Sequence, residues 1–100
     1  MKKHTQIPLA NPAKAINKLC KHFSHKVKAE WDESQGKVHF PMGLCYFKAE
    51  DNWLHVLCEA DEKKATNAVA QIVETHVFQM SWKEVDKEQG LVWEGSAVSN

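Results

Sequence analysis

The chain contains no arginine: its thirteen cationic residues are all lysine, and they balance thirteen acids for a formal net charge of zero. Arginine presents the planar fork that grips phosphate and guanine bidentately, and lysine replaces it only as a point charge. A neutral, arginine-free domain lacks the electrostatic footprint of a nucleic-acid binder, so no nucleic-acid partner is expected. No apolar run nears the roughly 18 residues that span a bilayer, which removes the membrane as an expected partner. Residues 1–8 are basic but lack the apolar run and small-residue cleavage site of a signal peptide. Also absent are a glycine-rich nucleotide loop, a nucleophile elbow, paired catalytic carboxylates and internal repeats. Nothing in this inventory calls for an enzyme.

Cysteine is scarce too. Cys20, Cys45 and Cys58 cannot all pair within one chain, and none stands in a CxxC motif. Buried free thiols in a reducing cytoplasm are the expectation.

What is present reads as one small domain, since 100 residues hold one core. Residues 1–10 show no periodicity and carry Pro8, so they read as a flexible N-terminal arm. Asn11-Pro12 looks like a helix start, with Asn capping and Pro at the first helical position. Ile16, Leu19, Cys20 and Phe23 follow at helical spacing, with Lys14, Lys18 and Lys21 on the far side. That lysine row is read as a solvated face.

From Val27 the period changes to two. Val27, Ala29 and Trp31, then Val38 and Phe40, then Cys45, Phe47 and Ala49, then Leu54, Val56 and Cys58 offer apolar side chains to one face. The connections are residues 33–36 and 41–43, where Gly36 and Gly43 are read as turn glycines, and Asp51-Asn52. A wide apolar stripe from Ala65 to Met80 then predicts a second helix that covers the sheet. Trp82, Val85 and Leu91-Val92-Trp93 predict one or two short edge strands. The expected fold is α+β: helix, four-stranded antiparallel meander, helix, both helices on one sheet face, and a short C-terminal strand. The domain occupies residues 11–94, and residues 95–100 form a polar tail.

The chemistry-bearing motif is Cys20-x-His22-x-x-His25. At about 100° per residue, Cys20 and His22 project to opposite sides of a helix, whereas His22 and His25 share a face. A metal site for iron or zinc built on the two histidines needs a further ligand, from Cys45 or His76. The plainer reading leaves His22 and His25 as helix-end residues favoured by the dipole, and Cys45 as a buried inert thiol. His76 lies in the second helix's apolar stripe, where a hydrogen bond across the helix–sheet interface would satisfy it. A cysteine-dependent enzyme pairing Cys45 with His22 or His76 is the remaining chemical reading.

The string Leu19-Cys20-Lys21-His22-Phe23-Ser24-His25-Lys26 resembles the opening signature of a small bacterial family, domain of unknown function 2218. The resemblance continues through Asp32, Gly36, Val38, Phe40-Pro41, Gly43, Cys45, Ala49-Glu50 and Leu54, then Val73, His76 and Phe78, and covers roughly residues 13–82. It differs in using lysine where arginine is usual, and in a longer acidic segment after Trp82. The resemblance implies a compact α+β domain without an assigned activity. Relatives fused behind flavin-dependent siderophore-interacting reductases imply a setting in iron or siderophore metabolism, with such a reductase as a partner. The function expected from all this is a non-catalytic cytoplasmic binding or accessory domain. A metal-binding module using His22 and His25 with Cys45 or His76 is the alternative.

Overall fold

The computed structural model describes residues 1–81 and 93–95. Five strands and two helices occur in the order β1 (Lys2–Pro8), α1 (Pro12–Phe23), β2 (Lys28–Trp31), β3 (Gln35–Phe40), β4 (Gly43–Glu50), β5 (Trp53–Glu59) and α2 (Lys63–Ser81). A two-residue strand, β6 (Glu94–Gly95), completes an antiparallel sheet ordered β2-β3-β4-β5-β1-β6. The fold is therefore α+β, as expected, but the expected order of helix, four-stranded meander and helix is not matched: β1 precedes α1 and extends the sheet beyond β2 to β5. Of the edge strands expected between Trp82 and Trp93, residues 82–92 lie outside the described residues and Trp93 is in no strand. Of the tail expected at 95–100, Gly95 belongs instead to β6 and residues 96–100 lie outside the described residues.

The first correction is at the N-terminus. Residues 2–8 are not an arm; they form β1, which pairs along its whole length with β5. Thr5 and Ile7 are buried on the helix side, and Leu9 is buried just beyond the strand. The alternation is real, but its first buried position is a threonine and Pro8 stands at the strand's end, so an apolar count misses it. Pro at a strand terminus costs little, because the hydrogen bond that it forfeits is at the margin of the ladder.

Helix α1 begins as its sequence dictates. The Asn11 side chain accepts from the Lys14 amide at 3.1 Å, and Pro12 occupies the first turn. Ile16, Leu19, Cys20 and Phe23 are buried against the sheet. At the exit, the Ser24 amide donates to the Cys20 carbonyl at 2.9 Å and the Val27 amide to the Phe23 carbonyl at 2.9 Å. Trp31 is tied back to α1 by its indole N–H, which donates to Asn17 Oδ1 at 3.0 Å. The Trp93 indole similarly donates to Glu74 Oε1 on α2 at 2.9 Å.

Both glycines read as turn residues have another purpose. Gly36 lies inside β3, and a methyl group there would stand 2.7 Å from Cys20 Sγ and 3.2 Å from Ile16 Cγ2 of α1. At Gly43 the methyl would meet the Glu59 carbonyl at 2.5 Å and Val69 of α2 at 3.3 Å. Gly36 is small because α1 passes close over it and Gly43 because the end of β5 does, not because the backbone turns left-handed. Positive φ falls instead on Asp51, at 55°, in the β4–β5 turn. The β2–β3 turn is closed by Asp32, whose Oδ1 accepts from the amides of Ser34 (2.8 Å) and Gln35 (3.0 Å). These bonds hold the Asp32 carboxyl below its ordinary range.

Gly36 and Gly43 point to the same sheet face by strand parity, so α1 and α2 share that face. The core lies between them and the sheet, with Val38, Cys45, Phe47, Leu54, Val56 and Cys58 beneath Val69, Val73 and Val77. The opposite face is covered by no element among the described residues.

Candidate functional site

The sequence-derived residues do not converge. Cys45 is fully buried, and its neighbour is the cross-strand Cys58, with the two sulfurs 3.9 Å apart. Burial pushes the Cys45 thiol well above its ordinary pKa and raises Cys20 to about 11. Both favour the neutral thiol, which is a poor nucleophile and a poor metal ligand. Among the described residues, no three of His, Cys, Asp and Glu are placed to hold a metal ion.

Two of the histidines do meet. His22 and His76 bring their ring centroids within 4.9 Å, and His76 also packs on Phe23 at 4.7 Å. Phe23 in turn meets Phe40 edge-on at 5.1 Å. His76 is satisfied, but not across the helix–sheet interface as expected. Its Nδ1–H donates to the Ile72 carbonyl of its own helix at 2.7 Å, and its ring fills the seam between α1 and α2. His25 stays exposed and joins His22, Lys18 and Lys21 around a shallow recess of about 330 Å³.

The larger concavity lies on the other side of the molecule. A trough of about 860 Å³ crosses the uncovered sheet face. The central row of that face runs Glu30, Lys37, Tyr46, Leu57, His4 and Glu94, each paired with the next across adjacent strands. A second row runs Gln35, Lys48, His55 and Gln6. Tyr46 and Leu57 are half-buried although no described helix or strand lies over them.

Electrostatics on this face follow a pattern. Three histidines each meet a glutamate: His39 with Glu30 at 3.1 Å, His4 with Glu94 at 3.4 Å and His55 with Glu50 at 3.4 Å. The hydrogen bond from His39, reinforced by Lys28, holds the Glu30 carboxyl below its ordinary range. Lys37 lies over the Tyr46 ring, 5.4 Å from its centroid. Neither Lys37 nor Lys48 forms an ion pair among the described residues.

The chain matches, over residues 4–94, the family described as an uncharacterized protein conserved in bacteria, DUF2218. It belongs to that family. The match begins inside β1, so the first strand is part of the family's domain. The NMR structure of PA4090 from Pseudomonas aeruginosa superposes with a TM-score of 0.78 at 18% identity, covering 95% of this chain and 96% of that one. At that identity the likeness establishes a shared fold. No curated protein matches this chain.

The trough was legible in part. Once both helices are assigned to the face of Phe47 and Val56, Tyr46 and Leu57 fall by parity on the other face, directly opposite one another. An aromatic and a leucine paired on a face with no cover are the signal that a core-directed reading passes over.

Proposed function

We propose that this DUF2218 domain is a non-catalytic binding module whose working surface is the uncovered face of its sheet. The observation that carries this is the trough with Tyr46 and Leu57 as its apolar floor and charged side chains as its walls. A concave apolar patch with a few polar groups around it is the usual form of a ligand site. The three thiols are all buried, which favours no chemistry of their own. As setting, we place the domain in the cytoplasm beside iron or siderophore metabolism, accessory to a siderophore-interacting reductase. That part rests on the family resemblance.

The test is amide NMR of the full chain against such a reductase, with a ferric siderophore assayed in parallel. Shifts centred on the outward residues of β3, β4 and β5 support the reading. Shifts confined to His22 and His25 move the working surface to the end of α1, and reduction of the ferric siderophore by the isolated chain overturns the non-catalytic assignment.

The approach of His22 to His76 favours a second reading, a two-imidazole metal site, to which the described residues add no third ligand. Stoichiometric zinc or iron that is lost in the His22→Ala/His76→Ala variant would support it. No retained metal would leave the pair as packing.

A further inference from the structure

Resting on the binding reading above, we infer that the trough accepts a small amphipathic carboxylate: a flat apolar body over Tyr46 and Leu57, with its anion between Lys37 and Lys48.

The charge arrangement selects the sign. Both acids that line the trough are engaged, Glu30 by His39 and Asp32 by the amides of its own turn. Neither lysine comes within ion-pair distance of a carboxylate among the described residues, although Lys37 faces Glu30 across the strands and helps to hold its carboxyl low. Lys37 pairs with Tyr46, and Lys48 stands two residues further along β4, so the two lysines are diagonal neighbours on one face. Diagonal positions have Cα atoms about 7–8 Å apart, within reach of long side chains, so two ammonium groups can close on one anion. The same placement sets the anion beside the Tyr46–Leu57 pair and not away from it.

Size and composition select a small molecule. A volume of about 860 Å³ lies inside the ~300–1,000 Å³ typical of such sites. Two unpaired lysines without arginine are few for a nucleic-acid backbone. A second copy of the chain is disfavoured by the central row, which reads acid, base, apolar, apolar, base, acid. With the rows aligned, a twofold-related copy laid face to face sets Glu30 against Glu30 or Glu94.

The experiment titrates the full chain, labelled for amide NMR, with 2-naphthoate, 2-naphthalenemethanol and 2-naphthylmethylammonium at low salt. The expected result is that 2-naphthoate shifts residues 37, 46, 48, 55 and 57 and binds at least tenfold tighter than the alcohol. The ammonium compound binds more weakly still. Lys48→Gln and Lys37→Gln each weaken 2-naphthoate at least fivefold while the remaining amide spectrum stays folded. Equal affinity for the alcohol, or tighter binding of the ammonium compound, overturns the carboxylate assignment but leaves the open face as a binding surface. Absence of shifts with all three also overturns it, and the reductase titration then decides the fate of the broader reading. Shifts of the same residues on raising protein concentration alone would replace the ligand with a second copy, which likewise overturns the proposal.

Discussion

Tyr46 and Phe47 are adjacent in β4, yet they belong to different parts of the protein's physics. Phe47 is 1% exposed, pressed between the sheet and its two helices. Tyr46 looks the other way, over a trough that no described element fills. One face of the sheet is packed into the core, and the other is left uncovered by any described element. The difference teaches where function can reside in a domain this small. With a single core, surplus apolar surface on the second face contributes little to folding and is available to a ligand.

The sharpest way to break the comparison is to truncate each neighbour in turn. Phe47→Ala should cost about 3–5 kcal/mol, the range for large-to-small changes in a packed core. Tyr46→Ala should cost less than about 1 kcal/mol, as surface changes do. Denaturant titration of both variants checks the contrast, and equal losses would show that the outer face is structural too.

Next in size are the two glycines where the chain passes closest, Gly43 beneath the end of β5 and Gly36 beneath α1. Gly43→Ala drives a methyl into the Glu59 carbonyl, and overpacking of this kind typically costs about 1–3 kcal/mol. Gly36→Ala meets the tip of the Cys20 side chain and should cost less. Adding Cys20→Ala should recover part of that loss, a coupling that a double-mutant cycle would read. Additive losses would mean that the 2.7 Å approach to Cys20 Sγ does not decide the cost.

A smaller, pH-dependent effect sharpens the contrast between inner and outer faces. Burial raises the folded pKa of Cys20 to about 11 and that of Cys45 well above normal. The thiols stay protonated in the folded state while the unfolded chain releases its protons at lower pH. Their contribution is therefore intact below the unfolded pKa near 9 and is lost as pH rises toward the folded values. The melting temperature should decline from about pH 9 upward from this cause, while a thiol reagent at neutral pH should label all three cysteines only after unfolding. Rapid labelling of one cysteine in the native protein would reopen the cysteine-enzyme reading.

The smallest expected effect is at Asp32. Its carboxyl is held below its ordinary range by the Ser34 and Gln35 amides, so the stabilisation is present at neutral pH and fades as acid titrates the group. Asp32→Asn should lower the melting temperature slightly at pH 7 and leave it unchanged at the acid end.

Much of the inner face was legible because it obeys simple periodicity. The stripe through Ile16, Leu19, Cys20 and Phe23, and the alternation through Leu54, Val56 and Cys58, report burial directly. Strand β1 escaped because its buried Thr5 reads as polar and its partner β5 is some fifty residues away, a pairing that local pattern cannot reveal. The role of Gly36 escaped because a glycine beside a turn suggests conformation, whereas the crossing of α1 above it is a tertiary fact. The histidines illustrate the other limit. Sequence proximity groups His22 with His25, and the two do share an exposed recess, but the contact of His22 with His76 comes only from the packing of α1 on α2. The trough needed both rows of the sheet to be in register before Lys37, Tyr46, Lys48 and Leu57 became neighbours.

The measurement that bears most directly on the division between the two faces is the thermal unfolding of the double variant Tyr46→Ser/Leu57→Ser. If the uncovered face is free for recognition, its melting temperature should lie within about 5 °C of the parent, since roughly 1 kcal/mol shifts a domain of this size by about 4–8 °C. A loss as deep as that of Phe47→Ala would contradict the account and place Tyr46 and Leu57 among the residues that hold the fold together.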